Sequence, residues 1–189
     1  MLSTKFVKDF FNVLVAVFPH YDFSIVGVYC HQKPIVDIKE AKKPELGDIL
    51  FVYADRKRKG EMVLNSLLLQ AKISKNPWLH VHQSERHQLK LYKNWPQFTY
   101  CRAGNLNGKM INIFPKTIND GAQYLLIADN LLANGFFAGN RMFPMGCAIP
   151  DDILYINDSL SSELINLLKF KSGRTFDSDL YSTEEIGRA

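Results

Sequence analysis

Apolar residues at Phe6, Phe10, Phe11, Leu14, Val17 and Phe18 recur at the three- and four-residue spacing of one helix face. They predict a buried helix from about Ser3 to Phe18, stopped by Pro19. The spacing then changes. "DFSIVGVYC" is dense in β-branched and aromatic residues and reads as a strand, and the polar, lysine-bearing "HQKPIVDIKEAKKPELG" reads as a loop with a short extended piece at "PIVDI". "DILFVYA" and "NSLLLQAKIS" are strand candidates joined by "DRKRKGEMVL", where the charge cluster and Gly60 mark a hairpin turn. Ser84 is a candidate N-cap for a helix through "ERHQLKLYKNW", which Pro96 ends.

"QFTYCRA" and the nearly all-apolar "AQYLLIAD" follow as strands, the second central because no polar face is left to it. Residues 130 to 150 are rich in Gly, Asn and Met and show no clean period, so they read as a loop or mixed insertion. "SLSSELINLLKFK" places Leu160, Leu164, Leu167 and Leu168 on one face behind a Ser159 or Ser161 cap, a closing helix, and the polar tail beyond Gly173 reads as frayed. The expected order is helix, strand, hairpin, helix, two strands and helix, an α/β or α+β arrangement of helices around one mixed sheet. There is no internal repeat.

Composition narrows this only slightly. A chain of 189 residues with 47% hydrophobic and 22% charged residues suits a single globular domain rather than a disordered or fibrous one. The net charge of +4, from 23 basic and 19 acidic residues, permits a polyanionic partner without demanding one. Three cysteines without a CxxC pair suggest neither a disulfide framework nor a cysteine zinc site, and point to the cytosol. The first apolar run carries Lys8 and Asp9 and lacks a cleavage pattern, and no run approaches the roughly 20 residues that span a bilayer, so no membrane association is expected.

The chemistry concentrates in the hairpin. Gln70 and Lys72 share one face of their strand, opposite Leu69, Ala71 and Ile73, and Asp48 opens the preceding strand close to Gln70. A carboxylate and an amide oxygen suit Mg²⁺, and an adjacent ammonium can orient water and steady charge on a phosphate. The plain alternative is that Lys72 extends out of a sheet edge while Gln70 satisfies local backbone.

Asp48 followed one hairpin later by Gln70-Ala71-Lys72 resembles the PD-(D/E)XK nuclease superfamily, in the Mrr-like variant where glutamine replaces the first acidic residue of the (D/E)xK pair. The resemblance covers about residues 3 to 129, with 130 to 189 as an irregular insertion plus closing helix. It implies a restriction endonuclease-like α/β core, a central mixed sheet flanked by helices. Asp48 and Gln70 would bind metal, Mg²⁺ or Mn²⁺, and Lys72 would assist the water. Glu45 is the candidate for an extra acidic ligand, with Glu40 behind it.

Gln88 and Tyr92 stand at the Q-x-x-x-Y spacing of RecB-like members, on one helical face, and would contact phosphate or stack. The basic cluster Arg56, Lys57, Arg58 and Lys59, with Lys42 and Lys43, would meet a nucleic-acid backbone, though a charged turn is usually just solvated. Trp78, Trp95 and Phe98 could stack on bases, core packing being their commoner use. His80, His82 and His87 lack a third ligand at a zinc spacing.

The expectation is a cytoplasmic, metal-dependent endonuclease acting on DNA, as in restriction or anti-phage systems, restrained by a regulatory or sensor protein. The rivals are a catalytically silent relative that binds nucleic acid or protein as a subunit, and an interaction domain without nucleic acid. A homo-oligomer is compatible with all three.

Overall fold

In the computed structural model the described residues are 4–20, 24, 34–56, 62–114, 116, 121–129, 135–138 and 141–177. The chain falls into two compact units, Met1–His31 and Gln32–Ala189. The first contains helix α1, Thr4–Val17. Leu14 is buried, but Val13, Val15 and Val17 are more than two-fifths exposed, so Val17 leaves the expected apolar face. The strand expected at residues 22–30 and the turn at 57–61 lie outside the described residues.

The second unit runs β1 (Ile35–Asp37), β2 (Ile49–Arg56), β3 (Met62–Ser74), β4 (Trp78–His80), α2 (Arg86–Asn94), β5 (Phe98–Arg102), β6 (Met110–Ile111), β7 (Ala122–Ala128), β8 (Phe136–Ala138), β9 (Arg141–Phe143), β10 (Met145–Ala148), β11 (Ile153–Ser159), α3 (Leu160–Leu168) and β12 (Arg174–Asp177). It is an α/β fold around a mixed sheet. The long β3 organises it: β2 pairs antiparallel along one edge, from Ile49 opposite Leu69 to Arg56 opposite Met62. On the other edge β12 pairs with residues 63–66, and β7 runs parallel from Leu68 beside Ala122 to Ser74 beside Ala128. β10, β11 and β4 then continue outward from β7, each antiparallel to its neighbour.

Parallel pairing of β3 with β7 requires a long crossover, and residues 75–121 supply it. The crossover carries α2, β5 and β6 onto one face, where β1, from ahead of β2, pairs with β5 to give a small sheet of order β1-β5-β6. There Leu89, Tyr92, Trp95, Val36 and Phe98 bury Leu68, Tyr124 and Leu126. α3 covers the other face, where Gln123 Nε2 donates to Glu163 Oε1 at 2.6 Å and Asn65 Nδ2 donates to the Leu167 and Ser172 carbonyls at 2.9 and 2.8 Å. Gly121 enters β7 at φ +83°, and a Cβ there would lie 2.8 Å from Arg174 Cβ. The position therefore needs glycine both for its left-handed backbone and for its close approach to β12.

Several expectations are corrected. Residues 130–150 are no mere insertion, because β10 is an interior strand of the central sheet with Cys147 and Ala148 buried. Directly after Gly173, Arg174–Asp177 forms β12 on β3, and β11 went unexpected before the closing helix. Ser84 does not cap α2: it lies in a 3₁₀ turn, Gln83–Glu85, where His82 Nδ1 accepts from the Ser84 N–H. Ser159 does cap α3, accepting from the Ser162 N–H at 3.2 Å. No helix among the described residues is long and apolar enough to cross a membrane.

Within β3, Leu69 is fully buried whereas Ile73 on the same face is 68% exposed. Leu69→Ala is expected to cost about 2–5 kcal/mol through the cavity it leaves. Ile73→Ala should stay within about 0.5 kcal/mol. Urea unfolding of the two variants checks both.

Candidate functional site

Asp48 is placed by backbone before its side chain acts. Its N–H donates to the Leu69 carbonyl at 2.9 Å, which locks the mouth of β2 onto the far end of β3. Its Oδ2 then accepts from the Ala71 N–H at 2.7 Å and from Gln70 Nε2. One carboxylate oxygen thus receives two donors from the strand opposite. The Gln70 amide is held by its nitrogen, and its buried Oε1 has no partner among the described residues. Gln70 lies beside Tyr124 of β7, and Lys72 beside Leu126.

The Lys72 ammonium does not leave the sheet edge for solvent. It pairs with Glu85 Oε1, and the lysine side chain is 21% exposed. Glu85 closes the 3₁₀ turn and α2 continues directly from it, so Glu85, Gln88 and Tyr92 follow one another along one helical face. Glu85 was not singled out from the sequence. The signal was there as an acidic residue three and seven positions before Gln88 and Tyr92.

Gln88 and Tyr92, expected at a nucleic-acid surface, are interior at 6% and 0% exposure. The Tyr92 hydroxyl donates to the Leu46 carbonyl at 2.8 Å, and the buried Gln88 amide nitrogen has no partner among the described residues. Burial, reinforced by Tyr124, Asp48 and Glu45, pushes the Tyr92 phenol well above its ordinary range, so it stays protonated and donating. Burial likewise raises Tyr124, whose hydroxyl has no partner among the described residues, with the Glu85 charge a second cause. These groups form a polar floor beneath Asp48 and Lys72, out of reach of a phosphate.

Glu45 bridges by backbone to Ile35, and its charge acts with that of Asp48 on the Tyr92 phenol. Glu40 is tied to Lys90, and Lys43 pairs with Asp37 at 2.9 Å. Arg56 ends β2 with its side chain outside the described residues, where Lys57, Arg58 and Lys59 also lie. Trp95 and Phe98 are buried at 4% and 2% exposure and cannot stack on bases, while Trp78 is 42% exposed against His80. Partial burial, with Lys42 next, lowers the His87 pKa and favours its neutral form. Among the described residues no three His, Cys, Asp or Glu side chains converge as a metal cluster, so the histidines form none. Asp48 and Gln70 are nevertheless two oxygen-bearing side chains in contact, and Mg²⁺ takes few protein ligands and keeps waters. They are the donor types such an ion takes, and in this arrangement the Gln70 amide turns its nitrogen to Asp48 and buries its oxygen.

No protein-family model, curated protein or solved structure significantly matches the chain.

Gly47 makes the approach of this loop possible. A Cβ there would sit 2.6 Å from Leu68 Cδ1 and 2.8 Å from the Tyr92 hydroxyl oxygen. Gly47→Ala is therefore expected to destabilise by about 1–3 kcal/mol through overpacking. Thermal unfolding reads the loss, and Tyr92 fluorescence or amide exchange at Asp48 should change in the same variant.

Proposed function

We propose that the chain is a metal-dependent nuclease hydrolysing DNA phosphodiester bonds, built on a restriction endonuclease-like core. One observation carries the reading: across the hairpin Asp48 bonds Gln70 and the Ala71 N–H, while Lys72 stands on the strand face of Gln70, held inward rather than extended into solvent. The β2–β3 hairpin followed by a helical crossover to a parallel strand supports it. A restriction or anti-phage setting with a restraining partner follows from the sequence resemblance alone.

The Asp48 carboxylate and the Gln70 side-chain oxygen would hold Mg²⁺ or Mn²⁺, with Glu45 as an added carboxylate. Such an ion supplies positive charge against a phosphate and makes water more acidic. Asp48 is oriented for this by the Ala71 N–H, which leaves its carboxylate in a single direction. Lys72 would place an ammonium beside the attacking water and the charge growing on phosphate. With glutamine in place of a second acid, the site carries less negative charge and draws a cation less strongly than a two-acid site.

That same neutrality, with no three-acid cluster among the described residues, favours a second reading: a catalytically silent subunit that binds nucleic acid or protein. Purified protein incubated with plasmid and linear DNA in Mg²⁺, Mn²⁺ or EDTA separates the two. A nuclease cuts only with metal, and Asp48→Ala or Lys72→Ala lowers the rate by about 100-fold or more. Wild-type protein that binds DNA in a salt-dependent way and cuts nothing belongs to the silent class.

A further inference from the structure

Lysine is a flexible, strongly hydrated point charge, and a role beside reacting atoms requires that its ammonium be held in one place. Among the ion pairs of the described residues, Lys72 is the most sheltered cation, and its partner is Glu85. Glu85 is itself well fixed. Its N–H donates to the His82 carbonyl at 2.9 Å, and the turn is closed by His82 Nδ1 with the Ser84 hydroxyl at 2.7 Å. Upstream, β4 is laddered to β11 with Leu79 opposite the fully buried Leu154. Downstream, α2 is seated through Leu89, Leu91 and Tyr92. A carboxylate anchored at both ends of its turn therefore meets a lysine on the face that carries Gln70.

We infer that Glu85 is a positioning residue, whose carboxylate fixes the Lys72 ammonium beside Asp48 and Gln70. This inference rests on the hydrolytic reading of those three residues. Glu85 acts through Lys72 and touches no substrate, so its loss should lower turnover rather than DNA binding. It also accounts for the polar 3₁₀ turn that interrupts the entry to α2: starting the helix at Ser84 would alter the reach of Glu85 to the strand.

The test pairs two readouts on wild type, Glu85→Ala, Glu85→Gln and Glu85→Asp. The first is brief acetylation by an amine-reactive ester without metal or DNA, with modification of Lys72 measured by mass spectrometry relative to the exposed Lys75. The second is metal-dependent DNA cleavage. Loss of the pairing carboxylate should raise relative Lys72 labelling about fivefold in Glu85→Ala, with Glu85→Gln between. It should lower kcat about tenfold with KM for DNA within about twofold, and Glu85→Asp should recover part of the rate. Unchanged Lys72 labelling, or Glu85→Ala cleaving at the wild-type rate, overturns the inference while leaving the nuclease reading standing. Wild-type protein that cuts nothing with either metal instead sinks the hydrolytic reading, and a catalytic use of Glu85 with it. Melting curves confirm folding, and the near-isosteric Glu85→Gln replaces Glu85→Ala if the latter fails to fold.

Discussion

Parallel pairing of β3 with β7 is the constraint on which the site depends. Two parallel strands cannot be joined by a turn, so the chain between them must leave the sheet, cross a face and return. The crossover lays α2 against the face that presents Gln70, Lys72 and Tyr124, and brings Glu85 to the lysine. Without that pairing, Gln70 and Lys72 would be polar residues on an open sheet. With it, they stand under a covering helix, and Asp48 at the mouth of β2 bonds Gln70.

The polar residues in an otherwise leucine-rich strand thereby find a physical account. Gln70 is 9% exposed, and its nitrogen is satisfied by Asp48. Lys72 keeps a carboxylate partner rather than bulk water. Buried polar groups of this kind cost stability unless paired, and Gln70 Oε1 and the Tyr124 hydroxyl on this face are without a partner among the described residues, as Asn65 Oδ1 is on the other. On the opposite face the polar groups are paired differently, Gln123 with Glu163 and Asn65 with two carbonyls, as struts between the sheet and α3.

Much of this was legible in the sequence because strand period and hairpin spacing are local. Gln70 and Lys72 share a face by period 2, and Asp48 reaches Gln70 because β2 and β3 pair in the expected hairpin. Other features depend on packing that no local pattern encodes. β10 is four residues long and includes a glycine, too short and too mixed to show alternation, and becomes an interior strand only because β7 and β11 flank it. β12 is four residues with a single apolar side chain, too short to show a pattern, and is fixed by pairing with residues 63–66 of β3. Trp95 and Phe98 could serve as stacking platforms or, more commonly, as core, and their burial in the cluster with Leu68, Tyr124 and Leu126 selects core. Glu85 was hidden because its partner Lys72 lies on β3, and no local pattern joins the two.

The central claim, that Asp48 and Gln70 form a cation site at the end of β3, is tested most directly by Mn²⁺ titration of the full chain without DNA, followed by electron paramagnetic resonance. The account predicts one bound Mn²⁺ whose affinity falls by at least about tenfold in Asp48→Asn, since removing a ligand charge weakens a hard cation's site. Binding of equal strength in wild type and Asp48→Asn, or no bound Mn²⁺ in either, would contradict it.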